Sequence, residues 1–253
     1  LLGGRLAGRV ELTSIDRDLE LAIQEFAPGQ ELVQDKRVHR AVGYAGYIPP
    51  AMFRRRGEWR LDSLVDGLGP SSEINECGNC GSANQSGLLA MTCSICGASL
   101  DPDSTRICYV PRAFITDFDP KYRGDDEVRS TRATKTSIAG DRLPTMHGVS
   151  GTNASVGLNR QATLYRLNRG ERTDNGWTGF NAEFGHIRVR THDERELATV
   201  RDIWVDQETI RRGTGFQVDA TRGPVRGFYL SAPRVTDSLL LHPTEVPRGL
   251  EFQ

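Results

Sequence analysis

The sequence predicts an α+β protein that is mainly β, an antiparallel sheet system with few helices and long loops, stapled by a cysteine ribbon. Three observations lead to that class. Four of the five cysteines fall in two CxxC pairs, Cys77/Cys80 and Cys93/Cys96, with twelve residues between the pairs. Short apolar runs recur through the second half of the chain, each bounded by glycine, asparagine or aspartate, as strands ended by turns are. Helical spacing is confined to one early segment.

Taken in order, the chain opens on LLGGRLAGRV without a recognisable start, as expected of a piece of a longer polypeptide. Leu19, Ile23 and Phe26 then recur at helical spacing, which predicts one amphipathic helix over residues 14–26, capped by Ser14 or Asp16 and stopped at Pro28-Gly29. ELVQDKRVHRAVGYAGYIPP reads as two short strands joined through Asp35-Lys36 and ended by Pro49-Pro50. A linker containing GLGPSS leads into the ribbon, after which ICYVPRAFITDF reads as a single strand. Residues 121–157 have almost no apolar period and read as a long surface excursion or a partly disordered stretch. ATLYRLNRG, GWTGFNAEF, HIRVRTH, ELATVRDIWV, GFQVDA, VRGFYL and RVTDSLLLH supply the remaining strands. The expected divisions are a helix-plus-hairpin region at 1–70, the ribbon at 71–108, and a β-rich domain at 109–253 that is truncated at its C-terminal end.

Composition limits what such a chain does. Its 253 residues suffice to bury a full core. Apolar content of 37% with Gly 27 and Pro 12, and a mean hydropathy of −0.46, make that core lean and the turns many. Only Lys36, Lys121 and Lys135 among the 32 basic residues are lysine. Arginine is the better bidentate partner for phosphate and carboxylate, and genomic base composition produces the same bias. The net charge of −1 supplies no global basic field, so a nucleic-acid contact must be a local patch. No stretch approaches the roughly 18–20 apolar residues of a membrane span, and no signal peptide opens the chain. A soluble cytoplasmic protein with no membrane partner is expected.

The spacing C-x2-C-x12-C-x2-C lets both sulfurs of each pair face one ion at about 2.3 Å. Gly81 and Gly97 follow the second cysteine of each pair, where positive φ turns the backbone around a metal and aims amide N–H groups at thiolates. One structural Zn2+ per chain, held by Cys77, Cys80, Cys93 and Cys96, is the reading; disulfides or free thiols are the alternatives. Four thiolates leave no open position for catalysis. Cys108, in the apolar run RICYVPRAF, reads as a buried small hydrophobe rather than a spare ligand.

The motifs that are missing also discriminate. The sequence holds no GxxxxGK[ST] loop, no GxGxxG after a strand and no GxSxG elbow, so this stretch alone is not expected to hydrolyse ATP. His39, His147, His186, His192 and His242 show no H-x3-H spacing that would support a second metal site. Asp117 and Asp119 in ITDFDP suit a magnesium-dependent nuclease, although turn aspartates before proline explain them more cheaply. In MFRRRGEWR, Arg54, Arg55, Arg56 and Arg60 surround Phe53 and Trp59, the mixture that tracks a phosphate backbone while stacking bases; a solvated arginine loop is the equal alternative. Arg123, Arg129, Arg132 and Lys135 form a second basic patch, diluted by Asp125, Asp126 and Glu127.

EFAPGQELVQDKRVHRAVGY, the paired CxxC ribbon, YVPRAFITDF, the LNRG…GWTGF segment and RVTDSLLLH, in that order, resemble the cysteine-bearing region behind the motor of large DEAD/DEAH-type superfamily 2 helicases. Such regions occur in MrfA-type repair helicases and in helicases or helicase partners of anti-phage systems such as DISARM and Druantia. The resemblance runs from about Leu19 to His242, and the APGQELVQDK and RVTDSLLLH segments are its more distinctive parts. It implies the four cysteines as zinc ligands and an accessory role beside an ATP-driven DNA motor in repair or antiviral defence. ATP and Mg2+ would belong to motor domains absent from this chain. The implied partners are single-stranded or duplex DNA and helicase motor domains, in the same chain or in a partner subunit. The rival expectation is a protein–protein docking module without nucleic-acid contact.

Overall fold

A computed structural model of the protein describes residues 2–6, 9–34, 37–48, 53–55, 58–85, 91–117, 121–122, 135–139, 145–174, 176–190, 197–213 and 215–243. Strands dominate, with two α-helices among the described residues, which makes the class α+β, mainly β. None of these helices is long and apolar enough to cross a membrane. The chain divides into two compact units. One comprises Leu1–Ser72, Ile107–Lys135 and Leu167–Ala232, the other Glu73–Arg106, Thr136–Arg166 and Pro233–Gln253.

In the first unit the helix spans Leu19–Glu25 and is shorter than the spacing predicts. Its cap is Asp18 rather than Ser14 or Asp16, because the Asp18 carboxylate accepts the Glu20 N–H at 2.9 Å and so satisfies a first-turn donor. Ile23 is fully buried, and its carbonyl accepts the Asn168 side-chain amide at 2.6 Å.

The sheet of this unit is built around strand Leu197–Asp206. That strand runs antiparallel to Phe180–Arg190 on one side and meets Arg37–Ala45 through Trp204↔Tyr44. Glu58–Asp62 lies parallel to it, and Val225–Pro243 lies parallel to Thr105–Tyr109 through Tyr229↔Cys108. The sheet is therefore mixed, with two parallel pairs among the antiparallel ones that predominate in the described residues. Glu31–Gln34 and Arg37–Ala45 pair as the expected hairpin.

Two strand assignments change for backbone reasons. ICYVPRAFITDF is two strands, Thr105–Tyr109 and Ala113–Thr116, broken where Pro111 has no N–H to give a ladder. GWTGFNAEF and HIRVRTH instead run together as Phe180–Arg190. Gly185 between them is no turn: a Cβ there would lie 2.1 Å from the Gln217 carbonyl oxygen, so glycine admits the neighbouring strand. Residues 121–157 contain the short strands Lys121–Tyr122, Lys135–Ala139 and His147–Gly148, and strand Ala154–Asn168 starts within them. Arg123, Arg129 and Arg132 lie outside the described residues.

A bulge sets the core of the central strand. Gly185↔Ile203 and Ile187↔Val200 leave Arg201 and Asp202 together opposite His186, with Asp202 at φ 57°. The extra residue reverses the alternation, so Ala198, Val200, Ile203 and Val205 all enter one apolar cluster with Val42, Leu61 and Ile187. Trp204 enters the other, with Ile23, Tyr44, Phe184 and Phe228. Phe228 is the hub there, its ring centroid 5.3 Å from Tyr109, 5.9 Å from Tyr44 and 6.0 Å from Phe180.

Candidate metal centre

The second unit holds the ribbon. Strands Ser71–Glu76 and Ala83–Gln85 pair as a short hairpin that ends in the first CxxC turn. The second turn is closed by a single bridge, Thr92↔Ser99. The two turns repeat one geometry. Cys77 N–H donates to Ser82 O at 2.9 Å and Gly81 N–H to Cys77 O at 2.8 Å; Cys93 N–H donates to Ala98 O at 2.7 Å and Gly97 N–H to Cys93 O at 2.9 Å. Gly81 at φ 69° and Gly97 at φ 71° adopt the left-handed conformation that their position after each pair requires.

This geometry brings the four sulfurs of Cys77, Cys80, Cys93 and Cys96 within 4.8 Å of one another. Cys77 Sγ lies 3.6 Å from Cys96 Sγ, and Cys80 Sγ lies 3.6 Å from Cys93 Sγ. A tetrahedral ion with metal–sulfur bonds of about 2.3 Å separates its ligands by about 3.8 Å, so the donor set fits one such ion. A disulfide needs about 2.05 Å, and none of the four is bonded to another. Four-sulfur tetrahedral coordination suits zinc or iron, and it leaves no ligand position for substrate.

Polar side chains around the thiols prepare them for a cation. Ser82 Oγ lies 3.1 Å from Cys80 Sγ and 3.0 Å from Cys93 Sγ. Ile95 N–H donates to Cys93 Sγ at 3.4 Å, and Asn79 Nδ2 to Cys96 Sγ at 3.5 Å. Desolvation opposes ionisation at Cys93, but the bonds from Ser82 and from the Cys96 and Ile95 backbone outweigh it and bring the thiol down to about 6. Asn79 likewise lowers Cys96. Desolvation wins at Cys80, whose thiol is pushed up to about 12. Cys93 therefore gives up its proton before Cys80.

Two buried asparagines that the sequence reading passed over hold the turns together. Asn84 Oδ1 accepts Ser94 N–H and Ser94 Oγ, each at 2.9 Å, tying the first hairpin to the second turn. Asn75 Nδ2 donates to Asp101 O at 2.6 Å and Thr105 Oγ1 at 3.0 Å, fixing the chain that leaves the ribbon. Their only sequence signal is position: an amide two residues before the first cysteine and another four after the second. Cys108 lies apart from the quartet, fully buried in its strand.

Phe53–Arg55 and Glu58–Asp62 form a hairpin with Arg54 opposite Trp59 and Arg55 opposite Glu58. Arg56 and the side chains of Arg54, Arg55 and Trp59 lie outside the described residues. Arg60 is half-buried, with Nη2 3.5 Å from Asp62. Asp117 is part of the fold: its carboxylate accepts the Arg40 N–H at 3.1 Å and its own N–H donates to Arg40 O at 2.8 Å, while Asp119 lies outside the described residues.

Fold and site together define a β-rich protein with a four-cysteine centre able to hold one metal ion. No family model matches the chain, and neither the curated proteins nor the solved structures contain a match to it.

Proposed function

We propose that this chain is a zinc-stapled accessory region of an ATP-dependent DNA helicase or translocase, or a subunit that partners one, in anti-phage defence or DNA repair. In this reading the metal is zinc and serves the fold, while the β-rich remainder engages DNA and docks on the motor. The observation that carries it is the closed four-sulfur centre, whose spacing suits a structural ion and leaves nothing for catalysis. The order of segments resembling those helicase regions adds the DNA context. DNA contacts are assigned to the Arg54–Arg60 hairpin, with Arg54, Arg55, Arg56 and Arg60 on phosphate and Trp59 on a base.

The test is binding of the full chain to fluorescent single-stranded and duplex DNA across a salt series, with metal content measured on the same sample. Salt-sensitive binding with one zinc per chain is expected, and alanine at Arg54, Arg55 and Arg56 should weaken it and flatten its salt dependence.

A second reading, a protein-docking module, has its own support. Val235, Leu239 and Leu241 share one side of a strand, with Asp237 between the first two, and are 68%, 69% and 66% exposed. Several arginines also pair with carboxylates, among them Arg222–Asp66 at 2.8 Å and Arg212–Glu208 at 3.0 Å. Absence of DNA binding with zinc intact would favour that module.

A further inference from the structure

The segment LNRGERTDNGWTGF folds into a hairpin whose root is buried and whose tip is exposed. The root is pinned on several sides. Asn168 donates to the helix carbonyl of Ile23 and accepts the Gly170 N–H at 3.0 Å, and Gly179 N–H donates to Arg169 O at 2.9 Å. Gly170 and Gly179 have φ of 77° and 65°. A Cβ on Gly170 would lie 2.6 Å from the Gly179 carbonyl oxygen, so the two arms enter close together, and one on Gly179 would lie 2.6 Å from the backbone of Gly227 in the neighbouring strand. Beyond the root, Glu171 N–H donates to Thr178 Oγ1 at 3.0 Å and Thr178 N–H to Glu171 O at 2.9 Å. Arg172 then pairs with Trp177 and Thr173 with Gly176.

The hairpin presents an indole with two guanidinium groups near its ring. Arg169 Cζ lies 5.6 Å and Arg172 Cζ 6.0 Å from the Trp177 ring centroid, and Trp177 is 37% exposed. Arg222 provides the contrast. Its guanidinium packs 4.3 Å from the Phe184 centroid and is locked by Asp66 at 2.8 Å, an arrangement that serves the fold. Arg172 is exposed, stands further from its ring, and no carboxylate among the described residues pairs with it. Arg169 is 6% exposed and belongs to the buried root of the hairpin. An exposed cation beside an open aromatic on a hairpin makes a stacking platform with a phosphate contact next to it. Duplex DNA offers its bases only in the grooves, whereas an unpaired base stacks freely on such a ring.

We propose that Trp177 stacks a base of single-stranded nucleic acid while the exposed Arg172 holds a flanking phosphate. The inference deepens the nucleic-acid reading above and rests on it, but it places the contact on a different hairpin from Arg54–Arg60.

The experiment uses the full zinc-loaded chain and a fluorescent oligo-thymidine, with the matched duplex and an oligo-glutamate peptide as comparison ligands. Trp177→Ala should weaken single-strand binding about 5- to 100-fold, and Trp177→Phe should restore most of it. Arg172→Gln should lower the slope of log affinity against log salt by about 0.7, which Trp177→Ala should leave unchanged. Zinc content and the emission of the buried Trp204 report that each variant is folded. Wild-type binding that Trp177→Ala does not alter overturns the platform and leaves the helicase reading standing. No nucleic-acid binding by the wild type overturns both. Binding of oligo-glutamate alone, lost in Trp177→Ala, overturns the nucleic-acid assignment and makes the hairpin a reader of acidic peptide.

Discussion

Ser82 is within hydrogen-bond reach of two thiols on opposite turns of the ribbon, so it supports the ligands without being one. Ser82→Ala should keep one metal per chain but lower zinc affinity about 10- to 100-fold, measured by chelator competition. Cys93→Ser, by contrast, removes a ligand, and stoichiometric zinc should be lost; a mutant that kept it would disprove the ligand set. The thiols also set a pH signature for the metal-free protein. Cys93 falls from an ordinary 9.0 to about 6, so its thiolate stabilises the fold fully above pH 9, and that contribution disappears as pH falls through about 6. Cys80, raised to about 12, acts in the other direction and costs stability as pH rises from 9.0 through about 12. The stability gap between metal-stripped wild type and metal-stripped Cys93→Ser should therefore widen from pH 6 to 9. A gap that ignores pH would show that the Ser82 and backbone bonds do not hold this thiolate.

The bulge in Leu197–Asp206 is the device that keeps Ala198, Val200, Ile203 and Val205 in one apolar cluster. Asp202 holds the left-handed conformation at the bulge, which glycine adopts without steric cost. Asp202→Gly should thus raise stability by about 1 kcal/mol in denaturant melts, and a loss would mean the carboxylate has an unrecognised role. Gly43 has the opposite requirement. A Cβ there would lie 2.0 Å from the Trp204 carbonyl oxygen, so Gly43→Ala should force the strands apart and destabilise by about 1–3 kcal/mol. Neither feature is legible in sequence. The adjacent Arg201 and Asp202 of VRDIWV break the alternation without saying which residue leaves the ladder, and the glycine of AVGYAG lies inside a segment read as strand, where nothing marks it as a point of close strand approach. The short helix Gln207–Arg211 was missed because five residues carry no period; its one cue is Asp206, which caps the Glu208 and Thr209 N–H groups at 3.1 and 3.3 Å.

Across the molecule, what could be read in advance was whatever depends on neighbours in the chain. The CxxC spacing and its trailing glycines specify the metal turns locally, and the hairpin through Asp35-Lys36 follows from alternation on either side. Which strands pair across the sheet does not follow, because it depends on partners far along the chain. The parallel match of Ala198 with Trp59 and of Tyr229 with Cys108 leaves no mark in either segment alone. The same holds for Asp66, whose carboxylate takes the Trp204 indole N–H at 2.9 Å and the Arg222 guanidinium at 2.8 Å. Trp204 is one of the core aromatics, and Asp66→Ala should leave its indole nitrogen unsatisfied, costing about 1–3 kcal/mol and shifting the tryptophan emission.

The reach of Asn168 back to Ile23 has a consequence for the time course of folding. These partners are 145 residues apart, and the Asp66–Arg222 pair spans 156. Each closes a long loop whose entropy is lost before the contact forms, so the first unit should assemble slowly. The cysteine turns close over a span of twenty residues and need no distant partner. During synthesis the ribbon can therefore take up its ion while strand Val225–Pro243 is still unmade, leaving the unit around Trp204 incomplete until the last strands emerge. Stopped-flow refolding with zinc should show thiolate–metal absorbance rising ahead of the burial of Trp204. Simultaneous appearance of the two signals would mean that the staple waits for the sheet.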